Sequence, residues 1–323
     1  MPDGVVLARL VRNGVVESVH AGSVAVCDAD GRILTSLGDP QRSTYVRSSV
    51  KPFQALAVLD AVDGAGVELD DSSLAIACAS HDGSDAQQIE AARLLAEAGL
   101  DEAALQCPPA VPRDPETAWN QRWPYSLSHN CSGKHAAFLF ATTLVGDDPA
   151  AYLNVESPLQ RRIRDRLAQA CGAEPEGPGV DGCGAPAWQL PLHALATGFA
   201  RLAVGAGPQL ERVRTAMTSR PLLIGGPLSV DTQLMCADGN VVAKRGAEAV
   251  FAAGMRYRGE GVGIAVKITD GGARADGPVA ATLLAALGCA VPLQLQRPPV
   301  LGGGAVQGAL EIDDRVTQMA SDV

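Results

Sequence analysis

Apolar and polar residues alternate with a period near two through the first forty positions: VVLARLVRNG, then SVAVCD and RILTSL around the turn Ala29-Asp30-Gly31. That period predicts strands. At Ser48 the spacing changes, and Val50, Phe53 and Ala57 predict a helix over 48–61 with one apolar face. A second helix is predicted over 85–98, opened by a Ser84/Gln87 capping box and stopped at Gly99. The mostly apolar run from Gly133 to Leu144 predicts a buried helix. Another starts at Ser157, with Pro158 at its first position and Gln160 closing a capping box; its core face is Leu159, Ile163 and Leu167, and Gly172 ends it. Residues 189–204 and 208–218 also read as helices, whereas 107–127, rich in Pro and Trp, reads as a long loop. Beyond Pro221 the pattern predicts strands in SVDTQLMC, NVVAK, GVGIAVKIT and AVQGALEID, with short helices near 247–254 and 277–288.

Strands at both ends with helices between predict an α/β chain of the α+β type. Its central, mainly antiparallel sheet is built from both termini around a helical insertion. One domain is expected over 1–323, with a sheet subdomain at about 1–46 and 221–323 and a mainly helical subdomain at about 47–220.

Composition narrows the function classes. At 323 residues, 47% apolar and 19% charged, the chain reads as an ordinary globular protein. A net charge of −10 argues against tracking phosphate backbones, so no nucleic-acid partner is expected. No apolar run reaches the roughly 20 residues that span a bilayer, so no membrane partner is expected either. The start lacks a basic segment followed by an apolar stretch, which predicts a cytoplasmic protein. The eight cysteines include no C-x-x-C pair and suit buried thiols, with a few as ligands, better than a disulfide framework.

Lysine is scarce. Of 26 basic residues only four are lysine: Lys51, Lys134, Lys244 and Lys267. Where arginine so often serves, a retained lysine points to a place that needs an amine able to lose its proton; chance survival on the surface is the alternative. Ser48 and Lys51 are three apart at a predicted helix start, so a neutral amine could take the serine proton, as in the S-x-x-K arrangement. The alternative is a capping serine beside a solvated lysine. Ser80-His81-Asp82-Gly83 suits a turn. His129-Asn130-Cys131-Ser132-Gly133-Lys134-His135 places Cys131 and Lys134 on one helix face, and Asp181-Gly182-Cys183-Gly184 offers a second thiol. Two thiolates suit zinc; two ordinary buried cysteines are the alternative. Lys244 lies in VVAKRGAE. Lys267 sits in a largely apolar strand, where it must be paired, deprotonated or turned outward.

With RSSVKPF, SHDG, HNCSGKH, DGCGAP and GIAVKITDG in this order, the chain resembles the rhizobial-type, thermolabile (class 3) L-asparaginases over nearly its whole length. The resemblance implies a fold like that of glutaminases and serine β-lactamases, and hydrolysis of L-asparagine to L-aspartate and ammonia. It implies two Ser–Lys pairs, Ser48 with Lys51 and Ser80 with Lys267, Ser48 being the attacking serine. It further implies substrate contacts from Arg47, His81 and Asp181, one zinc ion on Cys131, Lys134 and Cys183, and a homodimer. The chain lacks the histidine expected near position 88 and has Ser157 where relatives often have histidine. A glutaminase or another small-amide hydrolase on the same scaffold, or a non-catalytic zinc-binding relative, is the alternative.

Overall fold

The computed structural model describes residues 4–323. The chain forms two compact units: one comprises residues up to Ser49 with Leu190–Val204 and Gln233–Val323, the other Val50–Gln189 with Gly205–Thr232.

The first unit holds an eight-stranded sheet. Its strands run in the order Pro299–Gly302, Ala305–Ile312, Val5–Arg12, Val15–Asp28, Glu260–Ile268, Val250–Tyr257, Val241–Arg245, and Ile33–Leu37 pairs with Val15–Asp28 off that path. All the pairings are antiparallel, and both termini supply strands. Strand Glu260–Ile268 is buried without alternation from Gly261 onward, the mark of a strand covered on both faces. Helices Leu192–Val204 and Asp276–Ala286 both pack against it.

Glycine decides how closely the first of these helices lies. A Cβ added at Gly263 would stand 1.9 Å from the Ala196 carbonyl oxygen, one at Gly254 2.1 Å from that of Phe199, and one at Gly261 2.3 Å from that of Ala200. Three missing side chains thus let helix backbone rest on strand backbone. This is why Leu192–Val204, expected in the helical part, belongs to the sheet unit.

Two expected elements change type. The short helix expected near 247–254 is absent; Val250–Tyr257 is instead a central strand, ladder-paired on both sides. Tertiary pairing overrides local propensity there. Conversely SVDTQLMC forms a helix, Val230–Ala237, not a strand. Asp231 in its first turn accepts from the Ser229 hydroxyl and the Thr232 amide, local bonds that compete with a ladder.

The second unit is mainly helical: Lys51–Ala65, Asp71–Cys78, Asp85–Glu97, Ser132–Leu144, Pro158–Cys171 and Pro208–Ser219 are its longer elements. Ser132–Leu144 is buried continuously to Thr142, as its apolar composition requires. The Ser84/Gln87 capping box is present, and Gly99 takes the left-handed φ of 71° that ends the helix before it. Ser157 caps its helix and Gly172 ends it, but Gln160 donates its side-chain amide to the Tyr152 carbonyl at 2.9 Å instead of closing a box. The 107–127 loop carries one short helix, Pro115–Asn120, and exposes Trp119 and Trp123.

Two outcomes follow for stability. Gly263→Ala forces a methyl into backbone that cannot yield, and should cost about 1–3 kcal/mol or more. Gly64→Ala, in the last turn of helix Lys51–Ala65 with open space around the added Cβ, should stabilise by up to about 1 kcal/mol; urea midpoints at constant slope check both. His20, buried in the sheet unit with both ring nitrogens lacking a hydrogen bond, has its pKa held below the ordinary value by burial; Arg274 adds to this and Asp270 opposes it. Folding therefore favours the neutral ring, so this contribution is complete above the unfolded pKa of about 6.5 and declines as pH falls below it. The melting temperature should drop between pH 7 and 5, and His20→Leu should flatten the drop.

Candidate active site

The chemistry-bearing residues of the second unit meet around Lys51. Its helix begins at that residue, with Pro52 in the first turn where a missing N–H costs nothing. Ser48 lies before it in a 3-10 turn, Arg47–Val50, entered by the left-handed Arg47 at φ 50°. A 3-10 turn eclipses residues three apart, so Ser48 precedes Lys51 on 3-10 rather than α-helical backbone.

The Lys51 side chain is 1% exposed. Its Nζ donates to the Ala79 carbonyl and lies 3.1 Å from Ser80 Oγ, 3.4 Å from the Asn130 carbonyl and 3.2 Å from Cys131 Sγ. Four partners surround a group with at most three protons. As a free amine, Lys51 can satisfy both carbonyls and still accept the Ser80 hydroxyl proton; as an ammonium it can donate its third proton to Ser80 or to the Cys131 sulfur. Either protonation state is accommodated without moving the chain.

The turn that carries Ser80 follows helix Asp71–Cys78. Ser80 donates its amide to the Ile224 carbonyl at 2.8 Å. Gly83 has φ 82°, and a Cβ there would meet the Ser128 carbonyl at 2.9 Å, so only glycine fits. Gly226, also at positive φ, has the Asp82 carboxylate where its Cβ would be. Burial raises the Asp82 pKa. His81 is fully buried; its Nδ1 accepts from the Gly83 amide at 3.2 Å and its Nε2 meets Ser132 Oγ at 2.9 Å.

The second centre is formed by Cys131, Lys134 and Cys183. Cys131 is the N-cap of helix Ser132–Leu144, which places Lys134 one turn on. Cys183 is held in a tight loop by Asp181, whose backbone bonds to Ala185 and Gly184 at 2.9 Å each. Lys134 donates to Cys183 Sγ at 3.2 Å, and all three side chains are buried. A hydrogen bond from Cys183 holds the Cys131 thiol well below its ordinary pKa, with Lys51 and Lys134 adding to it against burial. That same bond, with burial, raises Cys183. Burial works against the Lys134 ammonium, but the sulfurs of Cys183 and Cys131 outweigh it and hold its pKa high. Two thiols and one amine converging at contact distance form a donor set of the kind zinc accepts, each donor losing its proton on binding. Among the described residues no group of three or more His, Cys, Asp or Glu is arranged to hold a metal.

Sequence reasoning missed three neighbours. Asn130 contributes its carbonyl. Cys107, a third buried thiol whose pKa burial pushes up to about 12, lies within electrostatic reach of Cys131. Tyr152 receives the Gln106 amide at 2.9 Å and meets His135 Nδ1 at 2.7 Å. None of these forms a local motif.

The remaining predicted residues lie in the sheet unit. Lys267 donates to the Glu248 carbonyl, and its pKa is lowered by burial, with Arg42 adding and Glu248 opposing. Glu248 and Ala249 are consecutive non-glycine residues at φ 59° and 52°, a strained pair that turns the Glu248 carbonyl toward this amine. Lys244, fully buried, donates to the Arg245 carbonyl at 2.9 Å.

A family model described as L-asparaginase II matches residues 8–312. The chain belongs to that family. Its match takes in every motif above, from the RSSVKPF turn to the Lys267 strand. Comparison with curated proteins finds no match. Among solved structures, Mglu in its native form at 4.3 M NaCl is similar at 16% identity and a TM-score of 0.41. That likeness covers 77% of this chain and 56% of Mglu, so the chain spans little more than half of Mglu's length. A "putative beta-lactamase from Bacteroides dorei DSM 17855" is similar at 11% identity and a TM-score of 0.46, covering 76% of this chain and 85% of that one. Among the described residues no helix is long and apolar enough to cross a membrane.

Proposed function

We propose that the chain hydrolyses the side-chain amide of L-asparagine, giving L-aspartate and ammonia, with Lys51 as the proton carrier. The observation that carries this reading is the buried Lys51 amine, 3.1 Å from Ser80 Oγ and ringed by carbonyl oxygens and a thiol. Membership of the L-asparaginase II family supports the amide as substrate class.

In this reading Ser48 Oγ attacks the amide carbon and its proton passes to the free amine of Lys51. The resulting ammonium hands a proton through the Ser80 hydroxyl to the amide nitrogen, which leaves as ammonia. The aspartyl ester on Ser48 is then hydrolysed: water gives one proton back along the same route, and aspartate departs. Lys267, with its lowered pKa, serves the second step as a base, and Arg47 and Asp181 hold the charged amino-acid end. Cys131, Lys134 and Cys183 hold zinc, which supplies a fixed positive charge beside the reacting groups.

Ammonia release should be strong with L-asparagine and weak with L-glutamine at equal concentration. Preference for glutamine would move the substrate; silence on both would reject the hydrolase. Ser48→Ala should lower kcat by at least about ten-thousand-fold, as removal of an attacking serine does. Ser80→Ala should lower it by about a hundred- to ten-thousand-fold, the worth of a positioned proton donor. Protein purified without chelator should carry about one zinc per chain, and Cys131→Ala should carry none, since its site is built on two thiolates. Metal analysis finding none in either protein would reject the zinc site.

A further inference from the structure

We infer that His81 is a positioning residue that fixes Ser80 against Lys51 by locking the Ser80 turn to the first residue of the Ser132–Leu144 helix. It does not contact substrate. The inference rests on the function proposed above.

The hydrogen bonds leave the imidazole a single arrangement. The Ser132 hydroxyl donates its one proton to the Leu127 carbonyl at 2.7 Å, so toward His81 it can only accept. His81 Nε2 must therefore carry a proton and donate it to Ser132 Oγ at 2.9 Å. Nδ1 is then the acceptor nitrogen, which the Gly83 amide faces at 3.2 Å while also donating to Gln87 Oε1 at 3.0 Å. Both ends of the ring are engaged, and the side chain is 0% exposed, so nothing of it is offered to a ligand.

What the ring joins matters more than that it is satisfied. Residues 79–83 and 130–132 are bridged twice. Lys51 Nζ ties Ala79 and Ser80 to Asn130 and Cys131, and one residue further along His81 ties to Ser132. The Lys51 tie runs through a flexible four-carbon stem, whereas His81 is a planar ring engaged at both nitrogens, so His81 holds the Ser80 turn to the helix start more stiffly. Without it, the turn keeps Lys51, the Ser80 amide bond to Ile224 and the Arg113 and Asp114 amides that donate to the Asp82 carbonyl, and of these only Lys51 reaches residues 130–132. His81 also stands between Ser80 and Ser132, the residue next to Cys131, so the two centres share one rigid support.

Two conservative variants separate the ring's two bonds. Asparagine at 81 can keep the acceptor for Gly83 but falls short of Ser132; glutamine reaches Ser132 but not Gly83. With L-asparagine, His81→Asn should lower kcat about ten- to a hundred-fold, the usual loss when an orienting partner is removed, and leave KM within about twofold. His81→Gln should restore most of kcat. Ser132→Ala, which also loses the Leu127 bond, should cost at least as much as His81→Asn, and the double variant should be no worse than Ser132→Ala, because the His81–Ser132 bond is common to both. Nitrogen NMR of histidine-labelled wild type should show the signal lost in His81→Asn as a neutral ring protonated at Nε2, a readout that does not depend on turnover. A wild type inactive on amides rejects the proposed function and leaves the NMR result standing. A raised KM at constant kcat, equal losses in the Asn and Gln variants, additive losses in the double variant, or an Nδ1-protonated ring would each overturn the inference.

Discussion

A lysine amine buried to 1% exposure is the constraint around which the helical unit is arranged. Removing an ammonium from water without partners costs several kcal/mol, so the chain must supply them from several directions at once. It does so with two backbone carbonyls, a hydroxyl and a sulfur, drawn from two separate segments. Satisfying one amine therefore brings the end of helix Asp71–Cys78 and the start of helix Ser132–Leu144 to fixed positions. The glycines at 83 and 226, which no other residue could replace, hold the same turn from its other sides.

The two candidate centres share this arrangement. Cys131 belongs to both, touching Lys51 on one side and Cys183 on the other. Two sulfurs lie between two amines in the series Lys51, Cys131, Cys183 and Lys134, and the amines and the bond between the sulfurs shift the protonation of the thiols. In a low-dielectric interior such a set is coupled, so a metal that displaces protons from Cys131, Cys183 and Lys134 would also change the field at Lys51. A zinc ion held there would thus bear on the serine chemistry through its charge.

Much of this was legible in the sequence, for identifiable reasons. Alternation at both ends revealed the sheet built from both termini, and the Ser84/Gln87 and Ser157 caps placed two helix starts. The scarcity of lysine pointed to all four amines, each of which is buried. What stayed hidden depends on contacts distant in sequence. Val250–Tyr257 looks helical until two strands flank it, and helix Leu192–Val204 joins the sheet because glycines on the strands admit it. At the site, local spacing paired Lys51 with the serine three residues before it, whereas the amine reaches the serine of the SHDG turn 29 residues on. The resemblance implies a substrate contact for His81; its bonds to Gly83 and Ser132, which sequence does not reveal, engage both ring nitrogens.

The central claim is that Lys51 Nζ is bonded at once to Ser80 and Cys131. With only four lysines in the chain, nitrogen NMR of lysine-labelled protein resolves it directly, the Lys51 signal being the one lost in Lys51→Met. The account predicts that Ser80→Ala and Cys131→Ala each shift this signal, and that Ser80→Ala leaves those of Lys134 and Lys244 in place. A Lys51 resonance indifferent to both substitutions, at the position of a solvated ammonium, would contradict it.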